Sequence, residues 1–305
     1  MSTRLTLAAL AAIAILVAAC GATTGPSSTG AAPSGAGGPV ILPIPINNAF
    51  AVGDNRVMFT LTDSSGLKQV AGPDRSLSIG YHGPNGETIA ATPQTFIWAI
   101  EGVNGVYVGH TTFPSAGQWS ADFTTAAPDA PTQTTTFRFD VRDKLEVVSP
   151  GDAAPSVKTP TLADVGGDVT KISTDTAPVK RFYETSEAAA LAAKKPFVLI
   201  FATPKFCKSA TCGPTLDKLK PVAKAHPDLT FINVEPYELK DVDGQLQPVL
   251  NGIDLVPAEA TTAFRLVSEP YVFVIGADGK VSSSFELVFS PEEIEAAIQK
   301  VEKPA

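Results

Sequence analysis

Residues 196–214 read Pro196-Phe197-Val198-Leu199-Ile200-Phe201-Ala202-Thr203-Pro204-Lys205-Phe206-Cys207-Lys208-Ser209-Ala210-Thr211-Cys212-Gly213-Pro214. The apolar run from Phe197 to Ala202 has no alternation, the pattern of a strand covered on both faces. Thr203 and Pro204 end it, and two cysteines follow, five positions apart. Gly213 and Pro214 then open a stretch with helical spacing, Leu216, Leu219, Val222 and Ala223, in which Pro214 suits a first helical turn. Strand, cysteine loop and helix in that order set thiols at a helix N-terminus, where the dipole and free N–H groups stabilise a thiolate.

Outward from this stretch the chain predicts further α/β elements. Upstream, Ser186-Glu187 before Ala188 to Lys194 predicts a short helix capped by Ser186 or Thr185. Downstream, Leu229 to Val234 reads as a second strand, residues 237–258 as loop, and Ala260 to Leu266 as a short helix. Pro221 falls inside the first helix and predicts a kink. Tyr271 to Ile275 and Val281 to Phe285, joined by Gly276-Ala277-Asp278-Gly279, read as a hairpin. Ser290-Pro291-Glu292-Glu293 combines an N-cap, an N1 proline and an acidic first turn, and Ile294, Ala297, Ile298 and Val301 form the stripe of the helix it starts.

The order strand, Phe-x-x-x-x-x-Cys, helix, followed by Ser268-Glu269-Pro270-Tyr271-Val272-Phe273-Val274-Ile275, resembles the thioredoxin-like superfamily over roughly residues 180–303. The resemblance implies an α/β thioredoxin-like domain over 181–305, a cis Pro270 facing the cysteines, and a substrate-binding edge at Glu269 and Pro270. It also implies thiol–disulfide exchange with Cys207 and Cys212 as the catalytic pair. The chain departs from the family in two respects: four residues rather than two separate the cysteines, and Glu269 stands where a small or β-branched residue is usual. A four-residue loop can still close a disulfide. Strand-to-cysteine distance aligns Cys207 with the family's nucleophile; aligning Cys212-Gly213-Pro214 with its Cys-Gly-Pro-Cys makes Cys212 the nucleophile and puts Thr215 at the resolver's place. Both assignments stay open. Lys205 and Lys208 flank Cys207, where they can favour its thiolate, although solvated surface lysines are the commoner explanation.

From Val40 to Asp143 the pattern changes. Short alternating runs (57–62, 77–81, 106–108, 119–123, 137–141) are separated by turn clusters such as Asp63-Ser64-Ser65-Gly66 and Gly83-Pro84-Asn85-Gly86. They predict an all-β immunoglobulin-like sandwich over 40–143, with no internal disulfide because the region has no cysteine. Residues 144–180, rich in Pro, Asp, Thr and Gly, read as an inter-domain linker that packs in extended form on the second domain.

The N-terminus reads as an address. Arg4 and the apolar stretch Leu5 to Val17 make a signal peptide over 1–19. Val17-Ala18-Ala19-Cys20 resembles a bacterial lipobox, which implies lipidation of Cys20 and a lipid anchor on the extracytoplasmic face of the cell membrane. Residues 20–39 hold almost only Gly, Ala, Ser, Thr and Pro and read as a flexible tether. An oxidising compartment lets a disulfide persist, and Cys207 and Cys212 are the one pair left after processing.

A net charge of −8 with a sequence pI near 5.0 and no Lys/Arg cluster argues against a nucleic-acid partner. His82, His110 and Met58 are metal-capable residues in the β region, yet no His-x-His or Met cluster accompanies them, and no metal or cofactor is expected. Three function classes fit the sequence. The first is a membrane-anchored thiol–disulfide oxidoreductase acting on extracytoplasmic protein thiols or disulfides, with an unidentified redox partner. The second is a non-catalytic binding or scaffold lipoprotein stapled by a structural disulfide. The third is a copper-handling factor: Cys-x-x-x-x-Cys-Gly-Pro-Thr-Leu resembles cytochrome oxidase assembly factors, which add a distal His, but His226 is the only histidine in the second half and none stands directly before the 271–275 strand.

Overall fold

The computed structural model describes residues 40–128 and 130–303. The signal-peptide stretch 1–19, the tether 20–39 and the lipidation residue Cys20 lie outside the described residues. The first half forms β1 (Leu42–Pro45), β2 (Phe50–Ala51), β3 (Gly53–Thr62), β4 (Ser76–His82), β5 (Thr88–Pro93), β6 (Thr95–Ile100), β7 (Asn104–Phe113), β8 (Gly117–Ala127) and β9 (Ala130–Arg142). Two sheets result, ordered β1-β3-β7-β6 and β2-β9-β8-β4-β5. The two-residue period is visible in β8, where Trp119, Ala121, Phe123 and Thr125 are buried while Ser120, Asp122 and Thr124 between them are only partly so. Phe59, Tyr81, Phe113, Trp119 and Phe123 fill the space between the sheets, each large side chain contributing roughly 1.5–3 kcal/mol through its burial. Trp119 also satisfies its indole N–H on the Ser115 carbonyl at 3.1 Å.

The second half forms α1 (Glu187–Ala192), β10 (Phe197–Phe201), α2 (Cys212–Ala225), β11 (Thr230–Val234), β12 (Leu239–Val242), β13 (Gln245–Pro248), β14 (Leu250–Asn251), β15 (Asp254–Leu255), α3 (Glu259–Ala263), β16 (Tyr271–Ile275), β17 (Val281–Glu286) and α4 (Pro291–Glu302). β10 lies inside a four-stranded sheet ordered β11-β10-β16-β17, and every one of its residues is buried. Leu216, Leu219 and Val222 of α2 and Ile294 and Ile298 of α4 cover one face. Ser290 caps α4 by accepting from Glu293 N–H, and the Glu293 carboxylate returns the bond to Ser290 N–H. α2 continues through Pro221 as one helix.

The expected fold class, an immunoglobulin-like sandwich followed by an α/β thioredoxin-like domain, is corrected here. Among the described residues strand makes up 41% and helix 18%, with four short α-helices. Within the four-stranded sheet only β10–β11 is parallel, while β10–β16 and β16–β17 are antiparallel. An α/β layer would set crossover helices on both faces. Here the second face is covered by Val148, Ala154 and Val157 of an extended segment, by Ala190 from a six-residue helix and by Ala260 from a five-residue one. Residues 237–258, expected as loop, fold into the hairpins β12–β13 and β14–β15. The chain is a β-rich protein with a two-sheet sandwich and a mixed sheet, and all its described residues fall in one compact unit.

The two halves touch through named bonds. Arg56 of β3 meets Glu293 of α4 in a two-pronged pair, Nε to Oε1 at 2.6 Å and Nη2 to Oε2 at 2.9 Å. Lys218 Nζ of α2 donates to the Trp98 carbonyl at 2.8 Å and to that of Phe289 at 3.2 Å. Met58, Ala99, Val106 and Val108 of the sandwich enclose Val288 in a small apolar cluster. These contacts hold the sandwich beside the loop that leaves β17.

Candidate functional site

The chain leaves β10 through the buried Thr203, and a turn closed by Phe206 N–H on the Thr203 carbonyl at 3.2 Å reverses it toward Cys207. Cys207 and Cys212 are joined by a disulfide with Cα atoms 6.0 Å apart. The two sulfurs are not equivalent. Cys212 opens α2 and is 0% exposed, whereas Cys207 is only partly buried, packed against the edge of the same core. Thr211 precedes the helix without capping it through its side chain. Cys207 Sγ takes that place, accepting the Cys212 N–H at 3.2 Å. The connection between the cysteines passes through Ala210 at φ 59°, a left-handed backbone that costs a residue with a β-carbon about 1–2 kcal/mol.

That conformation is held by a compact network. The Ser209 hydroxyl donates to the Glu269 carbonyl at 2.8 Å, lies 2.8 Å from the Thr211 hydroxyl, and is 3.3 Å from Cys207 Sγ. The Glu269 carboxylate is buried and fully used: one oxygen accepts Lys208 N–H at 2.8 Å and the other the Tyr237 hydroxyl at 2.7 Å. Burial first, and the hydrogen bond to Glu269 second, push the Tyr237 phenol up from its ordinary value, so it stays a donor. Pro270 follows a cis Glu269–Pro270 peptide and is buried. Its carbonyl accepts Leu287 N–H at 2.8 Å, and the Leu287 carbonyl in turn accepts the Thr215 hydroxyl of α2 at 3.4 Å. Cys207, Cys212, Glu269 and Pro270 thus come together in space.

The flanking lysines are engaged elsewhere. Lys205 Nζ donates to the Leu246 carbonyl of β13 at 3.1 Å, and Lys208 Nζ sits over the Tyr237 ring at 5.7 Å. Beneath the loop is a second buried carboxyl, Glu235, whose Oε1 accepts Thr174 N–H at 2.6 Å and the Thr174 hydroxyl at 2.8 Å. Thr174 Oγ1 also accepts Lys205 N–H at 3.3 Å, which links Glu235 to the cysteine loop. Burial, opposed by the Thr203 and Thr174 hydrogen bonds, raises Glu235 to about 7.

The metal-capable residues are not brought together. His82 lies on β4 and pairs with Asp122 at 3.0 Å, while exposed His110 lies on β7 in the other sheet, and Met58 is buried. His226 is at the far end of α2 from the cysteines, bonded to Glu295 and Glu302 of α4 at 2.9 and 3.1 Å. Among the described residues no three His, Cys, Asp or Glu side chains converge as a metal site, and no helix is long and apolar enough to cross a membrane. Ser209, Thr211, Tyr237 and Leu287 are the site residues that sequence reasoning missed. Ser209 and Thr211 carried a signal, two hydroxyls inside the cysteine loop; Tyr237 and Leu287 arrive only through tertiary packing.

No family model and no curated protein matches this chain. Among solved structures, a DUF4426 family protein from Pseudomonas aeruginosa PAO1 aligns with 34% of this chain and 91% of its own length, at 14% identity and a TM-score of 0.26. So low a score gives no ground for assigning fold or function.

Proposed function

We propose that this protein is a membrane-anchored thiol–disulfide oxidoreductase, lipidated at Cys20 and acting outside the cytoplasm on protein thiols or disulfides through Cys207 and Cys212. The observation that carries the reading is the asymmetry of the pair. Cys212 is sealed at the head of α2, and its N–H points at the more accessible sulfur of Cys207. In exchange the reachable sulfur is attacked or attacks, and the sheltered one resolves.

Run as an oxidant, a substrate thiolate attacks Cys207 Sγ, the Cys207–Cys212 bond breaks, and Cys212 leaves as a thiolate that takes up a proton. A second substrate thiolate then attacks the substrate sulfur of the mixed disulfide and expels Cys207 thiolate. The substrate loses two electrons to become a disulfide, and the protein gains them as a dithiol. Run as a reductant, the same steps reverse, and a redox partner of the same thiol chemistry restores the starting state. Cys207 thiolate is stabilised in both directions by the Cys212 N–H and by the positive end of α2. Glu269, followed by Pro270, is buried beside the cysteine loop and holds it in place for the substrate chain through its bonds to Lys208 and Ser209.

The test is equilibration with glutathione followed by thiol trapping on the full chain, with Cys207→Ser and Cys212→Ser alongside. Exchange predicts a potential within about −120 to −270 mV, the range of thiol oxidoreductases, and mixed disulfides that accumulate on Cys207 in Cys212→Ser. A potential below about −300 mV, with no mixed disulfide in either variant, would sink the proposal. It would leave a binding or scaffold lipoprotein whose disulfide staples the loop.

A further inference from the structure

We propose that Ser209 is a positioning residue that makes Cys207 the attacking sulfur, its single hydroxyl proton moving from the Glu269 carbonyl in the disulfide to Cys207 Sγ in the thiolate. This rests on the exchange reading of the cysteine pair. The Ser209 hydroxyl stands between two acceptors, the Glu269 carbonyl at 2.8 Å and Cys207 Sγ at 3.3 Å. A hydroxyl has one proton to give and two lone pairs to accept with. In the disulfide, Sγ is neutral and a weak acceptor, so the carbonyl holds the proton. When reduction or exchange leaves a full negative charge on Cys207, a charge-assisted bond to sulfur outcompetes the neutral one. The change needs only rotation about the Ser209 Cβ–Oγ bond.

The neighbours fit this task. The Thr211 hydroxyl, 2.8 Å from Ser209 Oγ and largely buried, is placed to donate into it and strengthen the proton Ser209 presents. With the Cys212 N–H at 3.2 Å, a Cys207 thiolate faces two donors. Among the described residues no hydrogen bond reaches Cys212 Sγ. The charged groups around Cys207 are Lys205, Lys208 and Glu269, and each is bound elsewhere: to the Leu246 carbonyl, over the Tyr237 ring, and to Lys208 N–H and the Tyr237 hydroxyl. Removing the Ser209 hydroxyl therefore changes the sulfur's surroundings without removing a charge.

The experiment follows iodoacetamide alkylation of the reduced full chain carrying Cys20→Ser, from pH 5 to 9, with each cysteine read out by peptide mass. Cys207 alkylates first in the parent. Ser209→Ala slows Cys207 at pH 6 by about tenfold, the effect of losing a hydrogen bond to a charged group, and leaves Cys212 unchanged. Ser209→Thr, which keeps the hydroxyl, brings the rate back to within about twofold of the parent and covers the case in which the alanine variant misfolds. A Ser209→Ala profile that superimposes on the parent's, or a parent in which Cys212 alkylates first, would overturn the inference. Glutathione equilibration in parallel separates it from the reading beneath it. Exchange with a Ser209-independent profile sinks only the role of Ser209, and a Ser209-dependent profile without exchange sinks only the oxidoreductase.

Discussion

Glu235 offers the sharpest energetic test of the ground on which the cysteine loop stands. Its carboxyl is 8% exposed, one oxygen is bonded to Thr174, and the other accepts no hydrogen bond. Burial, set against the Thr203 and Thr174 bonds, lifts it from 4.5 to about 7. In the unfolded chain the same group titrates near its ordinary value. Between the two pKa values the folded protein therefore holds one more proton than the unfolded one, so stability falls as pH rises through about 4.5 to 7 and levels off above. The slope is about 1.4 kcal/mol per pH unit, and the total is on the order of 3 kcal/mol. Glu235→Gln has no charge to bury and keeps an acceptor for Thr174. The variant should match the parent in urea denaturation near pH 5 and exceed it by about 2–3 kcal/mol at pH 8, equivalent to roughly 5–10 °C in Tm for a chain of this size. Glu187, itself raised to about 7 by burial against its bond from Val157, titrates in the same window, while for His226 burial is overridden by the Glu295 and Glu302 bonds, which raise it above its ordinary value. They are common to both proteins and cancel in the difference. A gap between variant and parent that stays constant from pH 5 to 8 would refute the argument.

The remaining expectations concern the clamps around the loop. Glu269→Ala strips the partners from Lys208 N–H and the buried Tyr237 hydroxyl, and should cost about 3 kcal/mol in urea denaturation. Glu269→Gln keeps one acceptor and should cost about half as much; equal losses would mean that charge rather than bonding is what matters. Arg56→Ala leaves the mostly buried Glu293 carboxylate without its counter-ion and should lower stability by about 2–3 kcal/mol at pH 7. Burial raises Glu293, but the Arg56 bonds and charge override that and hold it below its ordinary value. Its contribution is thus present above about pH 4.5 and lost as pH falls through the lowered pKa. Stability profiles of parent and Arg56→Ala should converge as pH falls through that lowered pKa, and parallel profiles would argue against the pair.

How much of the fold and site was legible depends on where each signal resides in the chain. β10 was legible because six uninterrupted apolar residues permit little but a doubly covered strand, and α4 because Ser290-Pro291-Glu292-Glu293 fixes a helix start by local bonding alone. The closeness of the cysteines to Glu269 and Pro270 came from a resemblance, and the bonds from Ser209 and Lys208 to Glu269 are what bring them together here. The fold class was misread because strand–cysteine–helix says what covers one face of β10 and nothing about the other. Val148, Ala154 and Val157 cover that other face from a Pro- and Gly-rich stretch whose composition reads as linker. The β12–β13 hairpin was passed over although Asp243-Gly244, with φ 53° and 76°, is a tight-turn dipeptide. Its strand Leu239-Lys240-Asp241-Val242 is mostly exposed and carries too little apolar pattern to stand out.

β6 shows why the two halves are best treated as one working unit. Its Phe96-Ile97-Trp98-Ala99 run lacks the alternation of a strand with one face in water, because both of its faces are partly covered. Phe96 packs on the sandwich core, while Ile97 and Ala99 turn to the cluster around Val288. Val288 is bonded into the segment whose Leu287 N–H holds the Pro270 carbonyl and whose Leu287 carbonyl holds Thr215, three residues into α2 from Cys212. Lys218, one turn further along α2, closes the ring on the Trp98 carbonyl. The sandwich is therefore part of the frame that fixes Pro270 against the start of α2. Cutting the chain between the halves would expose Val288 and free the Pro270 side of the cysteine loop. Redox measurements are accordingly meaningful on the joined chain, where the geometry around Cys207 is the one its own sequence builds.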